Sequence, residues 1–240
     1  MPDELGEATK PLLLAAGNDL IYVRAQGGGF TVLHAHDGSL AWQFSPHLPQ
    51  GRFVLDYQLV LAGQSVYYLE SISGNQDVSL VALSRGSGKL VWQKHLQGSD
   101  AYANGLAGAG THLYLSINRQ TILLNALDGT PLWQSPLDSG YTIAVTEVNG
   151  IVYIPGDSAM NALDEGTGKL LWRLPAAPDG DFTASVFFQN VLFTSAQAIP
   201  SVHFSAGSGQ DAVVAINPST GSVYWSTTNA SDLVGIFHLS

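Results

Sequence analysis

Every tryptophan in this chain has a glycine four residues ahead of it: Gly38 and Trp42, Gly88 and Trp92, Gly129 and Trp133, Gly168 and Trp172, Gly221 and Trp225. With 26 glycines among 240 residues, five coincidences in five have odds on the order of one in 10⁵ by composition. A unit repeated in this way constrains the fold more than local propensity does, because a repeat that cannot bury its apolar face alone must stack on its neighbours. Successive tryptophans are 50, 41, 39 and 53 residues apart. That is the length of a four-stranded propeller blade.

Other features travel with each tryptophan. An apolar segment carrying an aromatic lies upstream: Leu20-Ile21-Tyr22-Val23, Val66-Tyr67-Tyr68, Leu113-Tyr114-Leu115, Ile151-Val152-Tyr153-Ile154 and Val191-Leu192-Phe193. Gly17, Gly63, Gly110, Gly150 and Asn190 stand just before these segments, where hairpin turns call for positive φ. A further strand with a small residue follows, at Ala35, Ala82, Ala126, Ala162 and Ala215. No stretch sustains a 3.6-residue apolar period, so the chain reads as all-β. The turn into each tryptophan strand reads in two lengths. Asp37-Gly38 and Asp128-Gly129 are compact, whereas 85–88, 165–168 and 218–221 are longer loops. Insertions at 73–79 and 198–211 account for the two long spacings and belong in loops.

A chain that is 45% apolar and 12% charged is not a disordered one. Its net charge of −10 repels phosphate backbones, which argues against nucleic acid as a partner. Without cysteine there is no disulfide, thiolate nucleophile or Cys-ligated metal. The acidic opening, Met1 to Glu7, does not read as a signal peptide. No apolar run approaches the roughly 20 residues of a membrane helix. The chain as given is expected to be soluble, and its compartment is left open.

Few residues suggest chemistry. His34 and His36 are the best metal candidates, since positions i and i+2 share a strand face, yet they align with Asn125 and Leu127 of a sister repeat and no third ligand can be named. Asp157, Asp179 and Asp181 offer carboxylates for calcium or glycoside hydrolysis, but the last two sit in a Pro-Asp-Gly-Asp linker that reads as turn chemistry. Glu147 is the one acid in an expected inner strand, facing either a channel or solvent. The clusters Gly27–Gly29 and Gly105–Gly110 precede no helix, so they read as turns and close backbone packing rather than a phosphate site. Tyr57, Tyr102 and Tyr141, each after a tryptophan strand, fit either sugar platforms or core. No catalytic, cofactor-binding or metal residue is assigned.

The segments Asn161-Ala-Leu-Asp-Glu-Gly-Thr-Gly-Lys-Leu-Leu-Trp172 and Ala215-Ile-Asn-Pro-Ser-Thr-Gly-Ser-Val-Tyr-Trp225 resemble the pyrroloquinoline-quinone-type propeller repeat, and the likeness runs over roughly residues 12–228. The resemblance implies about five four-stranded antiparallel blades across residues 12–230, ending near 44, 94, 135, 174 and 227, after a tail of residues 1–11. Residues 231–240 read as the start of a further blade or as a closing strand, so the array is a closed five-bladed ring or a segment of a larger propeller. The family holds eight-bladed quinoprotein dehydrogenases, with a quinone over calcium, and non-catalytic propellers such as the outer-membrane assembly lipoprotein. The dehydrogenases clamp their quinone with adjacent cysteines, which are lacking here, and five repeats are too few for their architecture. The resemblance therefore implies a binding scaffold without cofactor for a protein or small ligand, its insertions as the recognition surface and its blade edges open to self-association. A lectin-like sugar binder and a fragment of a quinoprotein dehydrogenase are the alternatives. All five tryptophans are expected to be scaffold.

Overall fold

A computed structural model describes residues 13–24, 29–45, 52–54, 59–72, 76–96, 103–117, 120–137, 145–156, 158–176, 181–197 and 211–227. The chain divides into two units, Met1–Asp100 and Ala101–Ser240, with the boundary between the second and third repeats. Every described regular element is a strand. No helix of the described residues is long and apolar enough to cross a membrane.

In the first unit, β1 (Leu13–Gly17), β2 (Leu20–Arg24), β3 (Phe30–His34) and β4 (Leu40–Phe44) form an antiparallel meander. The second sheet follows the same path through β7 (Ser65–Ile72), β8 (Gln76–Ser84) and β9 (Leu90–Leu96), but its first strand comes in two pieces. Both β5 (Arg52–Val54) and β6 (Val60–Ala62) pair with β7. The second unit holds three four-stranded meanders: β10 (Ala103–Ala109) to β13 (Pro131–Ser135), β14 (Thr146–Val148) to β17 (Leu170–Pro175), and β18 (Phe182–Phe188) to β21 (Val223–Thr227). Their middle strands are β11 (His112–Ile117) and β12 (Gln120–Asn125), β15 (Ile151–Ile154) and β16 (Ala159–Asp164), β19 (Val191–Gln197) and β20 (Asp211–Ile216). These are propeller blades, each repeat of the sequence building one.

The register explains the aromatic pattern. In every blade the aromatic of the second strand, a residue of the third and the tryptophan of the fourth lie abreast: Tyr22, Val32 and Trp42; Tyr67, Ala82 and Trp92; Tyr114, Leu123 and Trp133; Tyr153, Ala162 and Trp172; Phe193, Ala215 and Trp225. The two rings meet across the middle residue. Where that residue is alanine, their centroids are 5.6–5.9 Å apart and tilted by 39–54°. Valine or leucine holds them at 6.0–6.2 Å and 59–75°. The expected small residue is thus out of place in two repeats. Ala35 and Ala126 lie three positions on, in the turn, where their amides bond to the carbonyls of Asp19 and Thr111.

The tryptophan turns differ from the sequence expectation. All five have one length and one geometry: the glycine N–H donates to the carbonyl four residues back, from Gly38 to His34, Gly88 to Ser84, Gly129 to Asn125, Gly168 to Asp164 and Gly221 to Asn217, at 2.8–2.9 Å. Each glycine has φ between 67° and 73°, where a Cβ is disfavoured. What varies is the side chain that satisfies the loop. Asp37 and Asp128 accept from Ser39 and Thr130, while Asp164 and Asn217, nearer the loop's start, accept from Thr167 and Ser219, all at 2.9 Å. The first hairpin also departs: Gly17 ends β1, and Asn18 and Asp19 supply the positive φ.

Of the expected insertions, residues 76–79 are the start of β8, which lengthens its hairpin with β7, closed by the pair Ile72 and Gln76. Residues 73–75 and 198–210, both chain ends, and Tyr57, Tyr102, Tyr141, Asp157 and Asp179 lie outside the described residues.

Candidate functional site

The blade joints position everything else. Within each unit, the tryptophan ring of one blade lies flat on the turn glycine of the next: a Cβ on Gly88 would sit 2.5 Å from Trp42, on Gly168 2.5 Å from Trp133, and on Gly221 2.6 Å from Trp172. The indole N–H then donates to the carbonyl three residues before that glycine: Trp42 to Arg85 (2.8 Å), Trp133 to Glu165 (2.7 Å), Trp172 to Pro218 (2.7 Å). Apolar side chains from both blades close around each joint. These three residues are only 8–9% exposed, so their rings offer no open face on which a quinone could stack. Trp225 is packed within its own blade. It keeps its contact with Phe193 (5.9 Å) but is 50% exposed.

Three register-equivalent positions converge beside each joint: the first residue of the second strand, the penultimate residue of the next blade's first strand, and the turn residue whose carbonyl takes the indole. Between the fourth and fifth blades they are Ile151, Phe187 and Pro218, and the first two pack on the apolar core. Between the first and second they are Leu20, Leu61 and Arg85. Between the third and fourth they are His112, Glu147 and Glu165.

That last trio is the candidate site. The His112 Nδ1 is 3.0 Å from Glu147 Oε1 and 3.4 Å from Glu165 Oε1, with side-chain exposures of 25%, 17% and 28%. The Tyr114 hydroxyl also donates to Glu147 Oε1. Burial pushes the Tyr114 hydroxyl well above its usual range, reinforced by its bond to Glu147 and by the charges of Glu147 and Glu165. An open cavity of about 480 Å³ adjoins the trio, lined by His112 and Glu165 together with Leu123, Trp133 and Asp164. Glu147, singled out in the sequence, is therefore held by the neighbouring blade. His112 and Glu165 were not visible there, because they come from different repeats; lining up the repeats by strand register would have exposed them.

The other sequence candidates are less enclosed. His34 ends β3 and His36 lies in the turn, with ring centroids 5.8 Å apart. The third member missing from the sequence reading is Asp19, whose Oδ2 is 3.2 Å from His36 Nδ1. His36 and Asp19 are exposed. Asp181 is half-buried at the entry to β18. Gly29 is a close backbone approach, since a Cβ there would meet the Phe44 carbonyl oxygen at 2.2 Å. In the second blade the buried Tyr68 hydroxyl donates to Glu70 at 3.0 Å.

The comparisons agree with this architecture. A family model described as outer membrane protein assembly factor BamB matches residues 5–104 and, overlapping them, 75–236. The chain belongs to this family of pyrroloquinoline-quinone-like propeller repeats. The quinoprotein alcohol dehydrogenase PedH of Pseudomonas putida is 25% identical over 249 residues, which cover 92% of this chain and 38% of that protein. The crystal structure of BamB from Moraxella catarrhalis superposes with a TM-score of 0.59 at 15% identity, over 88% of this chain and 61% of that one. The computationally designed Ika8 protein gives 0.65 at 17%, over 91% and 61%. The chain spans less than two thirds of the length of each.

Proposed function

We propose that this member of the family is a non-catalytic scaffold that docks a protein on the last strands of its blades. The observation supporting this is a repeated exposure. Just before each tryptophan, the fourth strand presents apolar side chains to solvent: Leu40, Leu90 with Val91, Leu132, Leu170 with Leu171, and Tyr224. Surface apolar groups scattered singly need no explanation, but within each unit they recur on neighbouring blades one or two residues before the tryptophan, a repetition that a partner's apolar surface can recognise. The resemblance to BamB fits such a role. This reading adds these strands to the expected insertions, of which residues 73–75 and 198–210 lie outside the described residues.

A test compares the full chain with a variant carrying L90S, L132S and L171S. Expected is capture of a partner from an extract of the source cells that falls at least about tenfold in the variant, with folding unchanged. Equal capture by both overturns the surface. The likeness to PedH favours a second reading, that the chain takes part in quinone-dependent alcohol oxidation. Alcohol-dependent dye reduction by the chain after addition of pyrroloquinoline quinone and calcium would establish that reading and remove the non-catalytic one.

A further inference from the structure

We infer that His112, Glu147 and Glu165 form a divalent-cation site of the zinc class, built across the joint between the third and fourth blades. Two independent observations carry it. The first is geometric. One ring nitrogen of His112 faces oxygens of two carboxylates at 3.0 and 3.4 Å, and all three atoms lie within 4.8 Å of one another. A nitrogen bears at most one proton, so it cannot donate fully to both oxygens. A cation held by all three satisfies both. Zinc bonds of about 2.0–2.2 Å in a tetrahedron place ligand atoms about 3.3–3.6 Å apart, close to the spacing seen.

The second observation is the register. The same three positions are Ile151, Phe187 and Pro218 at the next joint and Leu20, Leu61 and Arg85 at the first, so the two strand positions are apolar at both. Here all three have changed together to imidazole and carboxylate, the donors that bind zinc. A salt bridge needs one such pair. Three donors from three separate segments, arriving at one point, are what a coordination sphere needs.

Tyr114 completes the arrangement, since its hydroxyl holds the same Glu147 oxygen, Oε1, that faces His112 and so fixes the position of the carboxylate. The adjoining cavity leaves room for water as the fourth ligand. Such an ion would tie the third blade to the fourth, so its role is to brace the joint.

The experiment uses the full chain in an H34A/H36A background, which removes the other histidine cluster. Calorimetric titration with zinc should give one equivalent bound, and thermal unfolding should shift upward with zinc and return with a chelator. E165Q, a change on a turn that carries alanine in two sister blades, should weaken binding about 10- to 100-fold, and H112A at least as much. The triple change H112I/E147F/E165A, which copies apolar or alanine residues from sister joints, should fold and be indifferent to zinc. No binding in the background chain, or binding by E165Q and H112A as tight as in the background chain, overturns the site.

Discussion

The fourth and fifth blades begin from the same local design and end differently. Each pairs its aromatic with its tryptophan across an alanine, at 5.9 Å in both. Yet Trp172 is 8% exposed and Trp225 50%. The ring pair is therefore a property of one repeat, fixed by strand register, whereas burial of the indole is conferred by the glycine turn of the blade that follows. Sequence context alone does not tell the two tryptophans apart.

The largest test of that difference is truncation. W172A should cost about 3–5 kcal/mol in the denaturant unfolding of the second unit, since it empties a packed joint and removes the bond to the Pro218 carbonyl. W225A should cost about 1 kcal/mol or less. Comparable losses would mean that the ring pair inside the blade, not the joint, carries the stability. A smaller contrast lies in the glycines. G221A should lose about 2–4 kcal/mol, because its Cβ would sit 2.6 Å from Trp172 at φ +73°. G38A, at a similar φ of +71° but with nothing within 4 Å, should lose only the backbone term, about 1 kcal/mol.

Y153F should cost less again, about 0.5–1.5 kcal/mol, because the Pro218 carbonyl that accepts from Tyr153 at 3.2 Å keeps its bond from Trp172. The mildest effect is one of pH. Burial raises the hydroxyl pKa of Tyr68, Tyr114 and Tyr153. Their contribution is complete below the unfolded value near pH 10 and is lost as pH rises above it. Tyrosinate absorbance should therefore appear together with unfolding on alkaline titration. Ionisation of all nine tyrosines near pH 10 in a chain still folded would contradict this.

Much of the blade was legible because its signals are local: the turn glycine, the aromatic and the tryptophan recur in one repeat at nearly fixed spacing. The common geometry of the turns was not, since Asp128 and Asp164 reach the same loop shape from different positions and so look like two designs. Nor was the true neighbour of Trp42 and Trp133 on the third strand. Val32 and Leu123 hold that place, and the nearby Ala35 and Ala126 imitate the pattern three residues late. The candidate site was legible only as Glu147. Its partners come from another repeat and from a turn position that holds arginine and proline at the other joints, and pairings across a joint leave no spacing to read.

The indole at each joint takes hold of main chain alone: a glycine Cα beneath the ring and a carbonyl oxygen beside it. That bond is blind to which side chain the turn carries, while the apolar side chains around it must still pack. The indole's bond therefore does not fix the side chain at the carbonyl-donating position. Arginine, glutamate and proline stand there in three joints of one chain, and that freedom is the raw material from which one joint can acquire chemistry while the others remain plain.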